Sequence, residues 1–222
     1  VILTRSSRTI VSVDAYNFNT SQLSVYNEVM SLVFSNDIYA PKMAFVDGPG
    51  GTGKTYLFNA ILESVRMNRM NGGISLAVAS SGTAALLLRG GSTAHSMFGI
   101  PLSISFDSMC NIKPNSDKGQ LIRMAKMVIW DEASMISRDI LEAVDRTFKD
   151  VCKTINPLLE FAPFGGKVMI FGGDFRQVLP VVPRGRRSDI VGQCINRSGL
   201  WRHAKVLKLS VNMRVLQASV SN

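Results

Sequence analysis

Gly48-Pro49-Gly50-Gly51-Thr52-Gly53-Lys54-Thr55 decides the fold, because it fits the pattern G-x-x-x-x-G-K-S/T at every fixed position. Such a loop must turn several backbone N–H groups inward to hold a chain of phosphates, and glycines that tolerate positive φ and close approach allow it. Lys54 then places an ammonium on the β- and γ-phosphates, Thr55 offers its hydroxyl to Mg²⁺, and the following helix directs its positive end at the same charge. The flanks agree: Lys42–Val46 is a short apolar run that reads as a buried strand, and Thr55–Met67 is helix-like. A glycine-rich surface turn that happens to contain Gly-Lys-Thr would not explain a strand before it and a helix after it. Gly48 to Thr55 is therefore assigned as a nucleotide-phosphate site.

A chain of 222 residues with 46% hydrophobic content can bury one sizeable core, so one large α/β domain is expected rather than two small ones. The 25 Lys and Arg exceed the 16 Asp and Glu, and a net charge of +9 favours polyanionic partners, either nucleic acid or an anionic membrane surface. No apolar run approaches the ~18 residues of a membrane span, and the N-terminal stretch lacks the pattern of a secretory signal, so a soluble chain is expected. The sequence starts at Val1, not Met, and so reads as a candidate fragment. Cys110, Cys152 and Cys194 are far apart and form no C-x-x-C pair, which points to reduced thiols in a reducing compartment. His95 and His203 add no ligand cluster, and no structural metal is expected.

Residues 1–17 are rich in Ser, Thr and Arg and read as a strand-and-loop arm or a frayed terminus. Val25, Val29, Leu32 and Val33 predict a helix over Thr20–Phe34, with Thr20 or Ser21 as N-cap and Gln22 on its first turn. Ile74–Ala79 is a second strand, leading through Ser80-Ser81-Gly82 into a helix that starts at Thr83. Gly90–Pro101 is turn-rich and Ser103–Lys118 reads as a long surface loop. Met127–Trp130 is the third strand, Ser137 to about Val151 a helix, Ile155–Gly166 a loop, Val168–Phe171 the fourth strand and Val206–Leu209 the fifth. Alternating strands and helices imply a parallel sheet covered on both faces.

Asp131-Glu132 ends the third strand. A carboxylate pair there, beside a phosphate loop, suits two tasks: Asp131 holds Mg²⁺ through bound water, and Glu132 orients or deprotonates the attacking water. A solvated turn or a helix N-cap is the plainer reading of the pair taken alone. Gly172-Gly-Asp-Phe-Arg-Gln177 ends the fourth strand, where open α/β sheets place their ligands; Gln177 is a candidate γ-phosphate sensor, and Asp174 or Arg176 a candidate coupler to another surface. Nine basic residues against Asp189 alone between Arg176 and Arg214 suit a phosphate backbone, or are merely solvated. Arg214, after an apolar strand and Asn212, is the better candidate for a nucleotide-facing arginine. Within Ser92–Pro101, hydroxyls and His95 can hold phosphates and Phe98 can stack on a base, although an aromatic residue there is more often a core residue than a stacking platform.

Together these residues resemble the petite-integration-frequency family of superfamily-one DNA helicases, the branch that also contains RecD and Dda, from about Phe18 to Arg214. Gln22, within Asn19-Thr-Ser-Gln-Leu-Ser-Val-Tyr26, is similar to the family's adenine-reading glutamine motif, and Gly48–Thr55 to its motif one. Ala79-Ser-Ser-Gly-Thr-Ala-Ala85 and Thr93-Ala-His-Ser96 resemble DNA-contacting motifs, with Ser81, Thr93, His95, Ser96, Phe98 and Arg176 as the candidate contacts. Asp131–Met135 resembles motif two, Gly173–Gln177 motif three and Leu209–Arg214 motif four. Val128–Met135, Gly172–Val182 and Ser188–Val215 look most like helicases of Helitron-type rolling-circle transposons. Two positions depart from the pattern: Ser21 stands where Glu is usual and Thr83 where an aliphatic residue is usual.

The resemblance implies a RecA-like fold, ATP and Mg²⁺ as cofactors, and single-stranded DNA and forked duplex as partners. It also implies movement five-prime to three-prime with unwinding, in repair, recombination, telomere maintenance or transposition, in the nucleus or alternatively the mitochondrion. Lys54, Glu132, Gln177 and Arg214 are the implied catalytic set. Residues 18–215 are then a first RecA-like domain and 216–222 the start of a link to a second, whose motifs the sequence lacks, so weak nucleotide binding and poor hydrolysis are expected of this chain alone. Two other classes stand beside this: a P-loop kinase or switch protein, and a non-catalytic nucleic-acid-binding remnant of a mobile element.

Overall fold

A computed structural model describes residues 16–35, 42–68 and 73–215. Most of the arm expected over 1–17 and the link expected over 216–222 lie outside the described residues.

Six parallel strands form one sheet, the four central ones from apolar runs: β1 (Met43–Asp47), β2 (Ile74–Ala79), β3 (Gly91–Thr93), β4 (Ala125–Asp131), β5 (Val168–Gly173) and β6 (Ala204–Lys208), in the order β3-β2-β4-β5-β1-β6. Central strands with helices on both faces need apolar residues on both faces, and every residue of β5 is buried. On one face, α1 (Thr20–Phe34) and α2 (Lys54–Met67) cover the sheet with Val25, Val29, Leu57, Phe58, Ile61 and Val65. On the other, α6 (Arg138–Cys152) packs Leu141, Val144 and Phe148 against Val128, Trp130 and Phe171. This is the RecA-like α/β architecture expected. Among the described residues no helix is long and apolar enough to cross a membrane.

The connection after β1 runs toward β2, while the one after β5 passes β1 to reach β6 on its far side. Connections leaving in opposite directions open a crevice at the carboxyl ends of β1 and β5, where sheets of this class bind ligands. Close approach of α2 to the sheet depends on Gly172 of β5, where an added Cβ would lie 2.4 and 2.5 Å from the Phe58 ring.

Three expectations need correcting. The N-cap of α1 is Asn19, not Thr20 or Ser21: its side chain accepts from the Gln22 N–H at 2.9 Å, and the Gln22 side chain accepts from the Asn19 N–H at 3.1 Å, a reciprocal capping box. The turn-rich stretch after Gly90 contains β3 and α4 (Ala94–Phe98), elements too short to show a period. The surface loop expected over Ser103–Lys118 gives way only at its last two residues, to α5 (Asp117–Met124); α7 (Arg187–Gln193) lies within the basic stretch, and α3 (Gly82–Leu87) starts one residue before its expected position.

Gly172→Ala drives a methyl into the Phe58 ring and is expected to destabilise the chain by about 1–3 kcal/mol, the usual cost of overpacking, read as a lower midpoint in urea unfolding.

Candidate functional site

The phosphate loop leaves β1 at Gly48 and enters α2 at Lys54. Gly51 (φ +87°) and Gly53 (φ +79°) take the left-handed conformation that turns the loop, which is where glycine is required. Thr52 is buried and its Oγ1 donates to the Pro49 carbonyl at 2.8 Å, bracing the loop from inside. The Lys54 ammonium is buried and donates to the carbonyl of Gly48, with the Pro49 carbonyl 3.5 Å away. Thr55 stands half-buried on the first turn of α2, whose positive end faces the same space. Pro49, Gly50, Gly51, Gly53, Lys54 and Thr55 line a cleft of about 730 Å³ that Gln22, Glu132 and Arg214 also reach.

Asp131 at the end of β4 is buried and accepts from the Glu132 N–H at 2.9 Å. Burial pushes its carboxyl above the ordinary range, against the pull of that hydrogen bond and of the Lys54 charge. Glu132 adopts φ 53°, ψ 36°, a left-handed conformation unusual outside glycine, and in doing so brings its side chain to the cleft. Asp131 and the Thr55 hydroxyl are hard oxygen donors, as Mg²⁺ prefers. Among the described residues no group of three or more His, Cys, Asp or Glu forms a metal site by itself.

At the end of β5, Asp174 is a buried hub. It accepts from the Arg176 backbone N–H and Nε at 2.9 Å each and from Gln177 Nε2 at 3.0 Å. Burial would raise this carboxyl, but the Arg176 bonds and charge and the Gln177 bond outweigh it and hold it below the usual range. The same bonds fix the Gln177 amide beside the loop, where Nε2 would lie 3.4 Å from a Cβ placed on Gly50. Arg176 reaches Asp47 of β1 at 3.8 Å while staying 67% exposed, so it is available to a partner as well.

Gln22 is 2% exposed, and besides its capping bond its Nε2 donates to the Thr52 carbonyl at 3.0 Å. The amide thus retains one N–H and one oxygen lone pair, the donor and acceptor that N7 and the exocyclic amine of adenine require. Tyr56, which sequence reasoning passed over, also lines the cleft; its hydroxyl accepts from the Asn17 N–H at 3.2 Å. Only the position after the loop marked it.

Of the candidate DNA contacts, Ser81 and Thr93 sit at the carboxyl ends of β2 and β3, but their hydroxyls cap α3 and α4, accepting from Ala84 N–H at 3.2 Å and Ser96 N–H at 3.3 Å. His95 and Ser96 remain accessible on α4, and the Ser96 carbonyl holds the ammonium of Lys118 at 2.6 Å. Phe98 is corrected: it is fully buried between Trp130 and Phe148, with ring centroids 5.6 and 5.3 Å away, so no base can stack on it. The basic residues from Arg184 to Lys208 are exposed, although Lys205 pairs with Glu28 at 2.6 Å.

A family profile described as PIF1-like helicase matches residues 17–222. The chain is 30% identical over 161 residues to ATP-dependent DNA helicase RRM3 of Saccharomyces cerevisiae, covering 71% of this chain and 21% of that protein. It is 36% identical over 143 residues to human ATP-dependent DNA helicase PIF1, covering 62% of this chain and 20% of the relative. Among solved structures, Pif1 helicase from Bacteroides in complex with ADP-AlF3 and ssDNA is similar at TM-score 0.67 and 27% identity, over 86% of this chain and 42% of that one. The chain therefore spans less than half the length of each of these relatives.

The Asp174 carboxyl stabilises the fold above its ordinary range and loses that contribution as pH falls through its depressed folded value. In Asp174→Asn this arm should vanish, so that unfolding midpoints measured from pH 6 down to about pH 2 fall less steeply than in the parent.

Proposed function

Because the chain belongs to the PIF1-like helicase family, we propose that it is the ATP-binding half of a DNA helicase motor, coupling hydrolysis to movement along single-stranded DNA. The observation that carries this is the convergence on one cleft: the phosphate loop with Lys54, Glu132, Gln22 and Arg214, with the Gln177 amide beside the loop.

The chain's own groups have separable tasks. The turned loop and the positive end of α2 bind the phosphates, and Lys54 exchanges its carbonyl partners for phosphate oxygens that carry full charge. Mg²⁺, held by Thr55 and Asp131 with phosphate oxygens, would neutralise charge on the terminal phosphate. Glu132, held at the cleft by its left-handed backbone, orients the attacking water and takes its proton. Gln177 and Arg214 stand where they can sense and stabilise charge on the transferred group. Asp174 ties Gln177 to the exposed Arg176, which gives phosphate sensing a short hydrogen-bonded path to a second surface.

A second RecA-like domain closes the other wall of the cleft in this reading, and the fork and single strand pass over the carboxyl ends of β2 and β3 past His95 and Ser96. Action in the nucleus, with the mitochondrion as alternative, and in Helitron-type transposition rests on the sequence resemblance alone.

In the longest natural protein that contains this chain, single-stranded DNA should stimulate ATP turnover, and Lys54→Ala should lower it by roughly a hundredfold or more. DNA binding that persists with no Lys54-dependent turnover would replace the motor by a non-catalytic remnant. Gln22→Ala should erode the preference for ATP over GTP by about thirtyfold, measured by competition binding, since it removes two hydrogen bonds worth ~1 kcal/mol each.

A further inference from the structure

Asn212, to which neither the motif reading nor the cleft chemistry gives a role of its own, lies beside the phosphate loop. Its Oδ1 accepts from the backbone N–H groups of Arg214 at 3.1 Å and Val215 at 3.3 Å, closing a short turn of the chain on a single side-chain oxygen. The same oxygen would lie 2.7 Å from a Cβ placed on Gly51, and Cδ and Cγ of Arg214 would lie 3.2 and 3.3 Å from it. The stem of Arg214 therefore lies directly across the loop, in a seat that only glycine at position 51 leaves open. The residue between them completes the joint: the Met213 N–H donates to the Gly51 carbonyl at 2.9 Å, and the Met213 sulfur accepts from Nδ2 of Asn19, the N-cap of the helix that carries Gln22.

We propose that Asn212 is a positioning residue that seats Arg214 over the phosphate loop, so that the arginine distinguishes a nucleoside triphosphate from a diphosphate. This rests on the reading of the cleft as an ATP site. A backbone turn held from two N–H groups fixes where the Arg214 side chain starts, and a cation on a long flexible stem contributes to selectivity only when its base is fixed. Without the Asn212 oxygen, the Arg214 N–H loses this bond and the arginine samples solvent instead of the loop. The diphosphate does not reach the space served by Arg214, so its affinity is untouched.

The test is equilibrium binding of a non-hydrolysable ATP analogue and of ADP to this chain, for the parent, Asn212→Ala, Asn212→Ser, Arg214→Ala and the double Asn212→Ala/Arg214→Ala variant. Arg214→Ala should lower the triphosphate-over-diphosphate preference by about tenfold or more, the usual effect of a lost charge-assisted hydrogen bond. Asn212→Ala should lower it by roughly three- to tenfold with ADP affinity unchanged; Asn212→Ser, which keeps an acceptor oxygen, should restore it. The double variant should match Arg214→Ala, because the two residues act as one unit. Equal weakening of both nucleotides by Asn212→Ala would mean a merely structural role and overturn the proposal. So would an unchanged preference in Asn212→Ala or in Arg214→Ala, or additive losses in the double variant. If Asn212→Ala does not fold, failure of Asn212→Ser to keep the parent's preference decides against the proposal. Lys54→Ala separates the two levels: if it leaves both affinities intact, the cleft is not the nucleotide site and the whole reading falls, independently of Asn212.

Discussion

Everything at the site depends on β1 lying between β5 and β6 in one parallel register. The pairing aligns Asp47 with Gly173 on one side and Lys208 on the other, and the hydrogen bonds run past the strand ends: Gly48 N–H to the Gly173 carbonyl at 3.4 Å and Leu209 N–H to the Asp47 carbonyl at 2.8 Å. Three segments far apart in the chain, 48–55, 174–177 and 209–214, thus leave the sheet side by side. A slip in register would carry Gln177 or Arg214 away from the loop along with the strand that bears it. Burial on both sheet faces holds β1 and β5 in this alignment, whereas β6 is a half-exposed edge strand whose register rests on its ladder with β1.

Burial also sets the electrostatics. Asp131 and Asp174 both end buried strands and both lose hydration, yet their carboxyls move in opposite directions. Asp174 is surrounded by three donors that favour its charge. Asp131 has one backbone N–H and the partial help of Lys54, which is itself committed to loop carbonyls. An under-satisfied carboxylate close to a phosphate-binding loop is suited to a cation, whereas a satisfied one is suited to holding neighbours in place. The two aspartates therefore differ, one under-satisfied and one holding its neighbours in place, for reasons visible in their hydrogen-bond partners.

The fold class and the phosphate loop were legible in the chain because local rules dictate them. A run such as Met43–Val46 followed by three glycines and Gly-Lys-Thr has few structural outcomes, and the bounds of α1 and β2 fall where apolar spacing puts them. Short elements were not legible: β3, α4 and α7 have too few residues for a period to emerge, and their formation depends on caps and packing. Phe98 shows the limit for a single side chain, since an aromatic residue in a polar loop reads alike whether it meets a base or closes the core.

The sequence by itself determined the parallel α/β sheet, the nucleotide-phosphate loop and the residue types at the strand ends, because each follows from contacts within a few residues. Tertiary structure alone decided which of those residues meet. It placed Gln22 against Thr52, Gln177 beside Gly50 and Asn212 with Arg214 across Gly51, and it withdrew Phe98 into the core. These contacts join residues from 30 to more than 160 positions apart. No local preference specifies them, and they exist only once strand order has brought the segments together.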